Sequence, residues 1–129
     1  MIISLQLDSD VSLYEQLRNQ IVLGIATGEL VPQERLPTVR QLADDLGINT
    51  MTVNKAYSLL KQEGYIVIDR RHGAKVSPLP QNRSEPSPEM VEELQLIIAQ
   101  ASIQGIGLTR FQELCSSIFS TMAYPQSES

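Results

Sequence analysis

The stretch from Thr38 to Gly64 constrains this chain more than any other. Thr38 followed by Gln41 fits a capping box, in which the two residues satisfy each other's free backbone amides. Val39, Leu42, Ala43 and Leu46 then share one helical face, and Gly47 stops the helix. Asn49 is an N-cap for another helix from Thr50, with Val53, Ala56, Tyr57 and Leu60 facing inward. Gly64 ends it. Two helices of roughly eight and fourteen residues, joined by the short turn Gly47-Ile48-Asn49, make a helix-turn-helix.

The flanks complete a domain. Leu13, Leu17, Ile21 and Ile25 recur every four residues, so a first helix is expected over about 12–27, capped by Ser9 or Asp10 and closed by Gly28. Glu29-Leu30-Val31-Pro32 reads as an irregular link. After Gly64 the pattern turns β-branched and aromatic. Tyr65-Ile66-Val67-Ile68 and Ala74-Lys75-Val76-Ser77 read as strands of a hairpin whose tip is Asp69–Gly73. The expected fold is mainly α with a small β-hairpin wing: a winged helix-turn-helix over 1–77.

Pro78, Pro80, Pro86 and Pro88 mark 78–88 as a linker. A helical region over 89–124 follows. Met90, Leu94, Ile97, Ile98 and Ala101 form one stripe, Gln104-Gly105 interrupts, and Thr109 is the expected cap of a last helix. That helix carries Phe111, Leu114, Cys115, Ile118, Phe119 and Met122. Neither helix buries its stripe alone. The first domain or a second subunit can cover them; the second subunit is favoured, making this a dimerisation tail and the chain a homodimer. Cys115 is the single cysteine and reads as a buried small hydrophobe.

The net charge of −5 argues at first sight against a polyanion partner. Its distribution removes the objection. Residues 1–77 hold eight Lys or Arg and nine Asp or Glu, whereas 78–129 hold two and six. The first domain is near neutral, so a basic face depends on placement. The start lacks the basic region of a signal peptide, and no run reaches a membrane span. A cytoplasmic location is expected.

Placement points to double-stranded DNA. The third helix presents Thr50, Met51, Thr52, Asn54 and Lys55 at its start, where a recognition helix meets base edges. Threonine hydroxyls donate or accept, their methyls suit thymine, and Asn54 matches adenine N6 and N7. Lys55 suits a phosphate or a guanine. Met51 covers a thymine methyl or simply packs. Arg35 and Arg40 flank the start of the second helix, where phosphate contacts fix register. Asp44 is the competing partner of Arg40, and Thr38 suits both capping and phosphate contact. The wing tip Arg70, Arg71, His72, Gly73 suits a minor groove, and Lys75 suits a phosphate. His72 has no ligand cluster around it, so neither metal nor cofactor is expected. For all these residues the plain reading is a solvated surface, which weakens once helix spacing, strands and wing are counted together.

The stretch from Leu13-Tyr14-Glu15-Gln16-Leu17 through Gly28-Glu29-Leu30, Leu36–Ala43, Leu46–Asn49, Glu63-Gly64 and Arg71-His72-Gly73 resembles the GntR family of bacterial repressors. The resemblance covers about residues 10–77. It implies DNA contacts at Arg40, preceded by Arg35, at Asn49, Thr50, Met51, Thr52 and Asn54, and at His72 and Gly73. Some members place an arginine where this chain has Thr50 or Asn54, which changes the operator read. Many have Gly-x-Gly where this chain has Gly73-Ala74-Lys75. A tail as short as 78–129 resembles the YtrA subfamily, implying dimerisation through two short helices and repression of transporter or envelope-stress operons. Such a tail is too small to enclose an ordinary ligand pocket, leaving the dimer interface as the place for an unknown small-molecule effector.

No nucleophile triad, phosphate-binding glycine loop or paired carboxylates support an enzyme. The alternative is a winged-helix module that binds protein and no DNA. Basic residues at both groove-facing elements argue against it.

Overall fold

The computed structural model describes residues 2–78 and 85–124. In chain order it contains α1 (Leu13–Ala26), α2 (Val39–Leu46), α3 (Thr50–Gln62), β1 (Ile66–Asp69), β2 (Gly73–Val76), α4 (Pro88–Ile103) and α5 (Leu108–Phe119). The described residues fall into two compact units, 2–78 with 123–124, and 85–122.

The first unit has one core. Leu17, Ile21 and Ile25 of α1 meet Leu42 and Ala43 of α2, Val53, Ala56, Tyr57 and Leu60 of α3, and Ile66, Ala74 and Val76 of the hairpin. Full burial of each large aliphatic side chain contributes about 1.5–3 kcal/mol. The capping box at Thr38 and Gln41 forms with both bonds at 3.0 Å. Gly47 closes α2 in the left-handed region at φ 67°. Gly28 does the same just beyond α1, at φ 85°.

β1 and β2 pair antiparallel, Ile66 opposite Val76 and Asp69 opposite Gly73. Tyr65, expected in the first strand, instead donates its amide to the Leu60 carbonyl and closes α3. The link before α2 supplies a third edge. Leu36 donates to the Ala74 carbonyl at 2.9 Å, Val76 donates to Glu34 at 2.8 Å, and Arg35 bridges Lys75.

Two segments far apart in the chain, 2–6 and 123–124, reach α1. The segment 2–6 lies extended along it, held by two glutamines one turn apart. Ser4 donates its amide to Gln20 Oε1 at 2.9 Å and accepts from Gln20 Nε2. Gln6 donates to Gln16 Oε1 at 2.8 Å, and Gln16 Nε2 donates to the Gln6 and Val11 carbonyls. Two strand residues rise about 6.6 Å and four helix residues about 6 Å, so the spacings match. This tether delays the helix: its N-cap is Ser12, not Ser9 or Asp10, and the Ser12 hydroxyl donates to Glu15 instead of capping. At the other end, the Ala123 and Tyr124 amides donate to the Ala26 carbonyl at 2.8 and 3.0 Å.

In the second unit, Pro88 is the first residue of α4 and not part of a linker. Its missing N–H needs no partner there, and Ser87 caps the helix from outside. Residues 79–84, including Pro80, lie outside the described residues. Gly107, not Thr109, is the N-cap of α5, because the chain turns into the helix one residue after Ile106 closes back onto Ala101. Cys115 is half-buried, not buried. Ala101 is the one buried apolar residue among this unit's described residues. No described helix is long and apolar enough to cross a membrane.

Candidate nucleic-acid interface

α3 is fixed from below and free above. Its inner face is buried, with Val53, Ala56 and Leu60 fully enclosed. The Tyr57 hydroxyl donates to the Pro37 carbonyl at 2.7 Å, tying α3 to the residue before the α2 cap. Burial pushes the Tyr57 phenol above its ordinary range. Thr50, Met51, Asn54 and Lys55 are exposed at the helix start, and Thr52 is half-buried. Met51 is 76% exposed, so it does not pack into the core. The Asn49 side chain accepts the Met51 amide at 2.7 Å as an N-cap.

At α2, Thr38 caps and remains exposed, and Arg40 is exposed one residue into the helix. The sheet extension places Arg35 and Lys75 directly opposite each other. The flanking residues make the hydrogen bonds, so this is the close, non-hydrogen-bonded kind of antiparallel pair. Like charges so placed repel. The reading of 29–32 as an irregular link gave no sign of it.

The wing tip is locked by Asp69. Its Oδ1 accepts the Arg71 amide at 2.6 Å and the His72 amide at 3.4 Å, while Oδ2 lies 3.2 Å from His72 Nδ1. The Arg71 amide first, then the His72 side chain, hold the Asp69 carboxyl below its ordinary value. Gly73, at φ 73°, lets the chain turn into β2. Arg70, Arg71 and His72 are exposed.

The ion pairs seen among the described residues lie elsewhere or within the wing: Arg18–Glu63, Arg110–Glu113 and His72–Asp69. Arg35, Arg40, Lys55, Arg70, Arg71 and Lys75 take part in none, and Arg40 does not pair with Asp44. The three elements that a helix-turn-helix turns to DNA thus carry cations that no described carboxylate neutralises.

Fold and surface together define a DNA-binding transcription regulator of the winged helix-turn-helix class. Residues 12–76 match the family model described as bacterial regulatory proteins, gntR family, and the chain belongs to that family. It is 32% identical over 112 residues to the transcriptional repressor YtrA of Bacillus subtilis, covering 85% of this chain and 86% of that one. The solved structure of YtrA from Sulfolobus acidocaldarius, a GntR-family transcription factor, matches with a TM-score of 0.63 and 39% identity over 80% of this chain and 99% of that one. These two likenesses place the chain in the YtrA subfamily. The DNA-binding domain of AraR in complex with operator ORX1 shares the fold, with a TM-score of 0.51 and 22% identity over 58% of this chain and 96% of that one. Three further curated regulators, 42%, 37% and 40% identical, are longer, and the chain spans 54%, 15% and 14% of their lengths. The family and these relatives are transcription regulators, not enzymes.

Proposed function

We propose that this chain is a cytoplasmic repressor that binds a palindromic operator as a homodimer. The observation that carries the reading is the set of six cations on α2, α3 and the wing sheet that no described carboxylate pairs. In this reading Arg35, Arg40, Lys55 and Lys75 contact phosphates. Thr50, Met51, Thr52 and Asn54 read base edges in the major groove. Arg70, Arg71, His72 and Gly73 enter the flanking minor groove. Thr38 and Asn49 cap their helices and present those same turns to the backbone.

Homodimerisation is assigned to the helical region. Leu94, Ile97 and Ile98 of α4 and Leu114, Ile118 and Phe119 of α5 are each at least 40% exposed. Stripes of this kind call for a partner. An effector would need that partner too. The hollow among Ile98, Ala101, Ile106, Leu108 and Phe111 measures about 160 Å³, below the ~300 Å³ at which ordinary ligand pockets begin. The kinship with a YtrA repressor makes a transporter operon the first target to try.

Selection of bound duplexes from a random pool tests this reading. A two-fold symmetric consensus, with binding that weakens as salt rises, is the expected result. Absence of any enriched sequence at low salt, with the chain folded, would refute it.

A further inference from the structure

The Lys55 ammonium lies 4.0 Å from the centre of the Tyr14 ring. The two side chains line a shallow cleft of about 400 Å³ with Ser12, Leu13, Met51 and Thr52, between the start of α1 and the start of α3. In the sequence Tyr14 stands beside Leu13 at the start of the first helix, with no sign of a partner on another helix. The structure shows it half-buried and packed against the core, so its ring is a fixed platform. Lys55 is exposed and sits on a long flexible stem.

From this contact we infer that Tyr14 is a positioning residue for DNA binding: its ring holds the Lys55 ammonium at the α1–α3 cleft, ready for a backbone phosphate. The inference rests on the DNA-binding reading above. A ring face attracts an ammonium through its quadrupole, within about 6 Å of the centroid. It restricts the stem without cancelling the charge. A carboxylate would do both, and the chain contains that contrasting case. Arg18 lies 5.5 Å from the Tyr65 ring centre and also bonds the Glu63 carboxylate through two nitrogens at 2.8 Å. Its charge is matched inside the protein. Lys55 has the ring and no ion pair among the described residues.

The ring also favours one of the two DNA partners that suit Lys55. It draws the ammonium toward the α1 side of the cleft, onto the Tyr14 ring. A cation on the flank of a recognition helix meets phosphates, which set register, and not base edges.

The test uses the full chain and a short duplex of mixed sequence, with affinity followed as salt is raised. Lys55→Ala is expected to reduce the slope of log K against log salt by about 0.9, the loss of one phosphate contact. Tyr14→Leu is expected to lower affinity and slope in the same direction, Tyr14→Phe to behave as wild type, and the double variant Tyr14→Leu/Lys55→Ala to be no worse than Lys55→Ala. An unchanged slope in Lys55→Ala, additive losses in the double variant, or a Tyr14→Phe as weak as Tyr14→Leu would each overturn the inference. Because Tyr14→Leu can disturb folding, a second reading needs no variant. The Lys55 side-chain methylene protons should be shifted upfield by the ring in the NMR spectrum of the wild-type chain, and unshifted protons would overturn the contact. A wild-type chain without salt-dependent binding would remove the DNA-binding reading itself and this inference with it. Wild-type binding retained in Tyr14→Leu would remove this inference alone.

Discussion

The Tyr57 hydroxyl donates a 2.7 Å hydrogen bond to the carbonyl oxygen of Pro37, joining the middle of α3 to the residue before the α2 cap. Tyr57 is 2% exposed, so its phenol has little access to water as a substitute. Tyr57→Phe is expected to destabilise the chain by about 1–2 kcal/mol, the hydrogen bond plus part of the cost of a stranded carbonyl. Burial raises the phenol above its ordinary 10.0, so the folded state keeps the proton that the unfolded state loses first. This stabilisation is complete below pH 10.0 and is lost as pH rises above it toward the folded value. Denaturant unfolding of both proteins should show the wild-type advantage shrinking above that pH. An advantage constant across alkaline pH would contradict it.

Asp69 sets the conformation of the wing tip. Its folded carboxyl is held below the ordinary 3.8, so the stabilisation it contributes is present above that pH and fades as pH falls through the folded value. Asp69→Ala should speed hydrogen exchange at the Arg71 and His72 amides and weaken DNA binding, with little change in melting temperature. Asp69→Asn keeps an acceptor oxygen and should restore most of the protection. Equal exchange in all three proteins would show that the wing holds its shape without this residue.

Gly28 is confined in two ways. Its φ of 85° disfavours any Cβ, and a Cβ built there would stand 3.2 Å from the Ala123 Cβ. Gly28→Ala should cost about 1–2 kcal/mol from backbone strain alone. Pairing it with Ala123→Gly should recover only the steric part. Thermal melts of the two variants separate the contributions, and full recovery would show that the backbone carries no strain.

Arg40 and Asn54 should differ in kind. Arg40→Ala is expected to weaken binding to all duplexes about equally and to lower the salt slope by about 0.9. Asn54→Ala should change the preferred bases at one position, by about 1–3 kcal/mol of discrimination, and leave the slope intact. Competition titrations with the selected site and with a scrambled duplex read both. A sequence-selective loss in Arg40→Ala would reverse the assignment.

The sequence discloses what is local. Thr38 and Gln41 cap α2 across three residues, Asn49 caps α3 across two, and Gly47 turns by itself. Such pairs are written side by side. What stayed hidden is held by distant partners. Glu34 and Leu36 find their strand about Ala74, and Ser4 finds Gln20. The same cause displaced the α1 cap to Ser12, since Gln16 holds residues 6 and 11 outside the helix. In the candidate site, exposure followed from helix period, so Asn54 and Lys55 could be picked out as outward-facing. The Tyr14 ring beneath Lys55 could not, because the two lie on different helices.

The bonds from Ala123 and Tyr124 to Ala26 bear on how such regulators can be recombined. The first unit is contiguous in space but not along the chain. A chimera made by joining at the wing would exchange the helical region and also remove the two donors that close α1. A clean exchange of tails takes two junctions, one on each side of the helices, with Ala123 and Tyr124 left alongside their own DNA-binding partner.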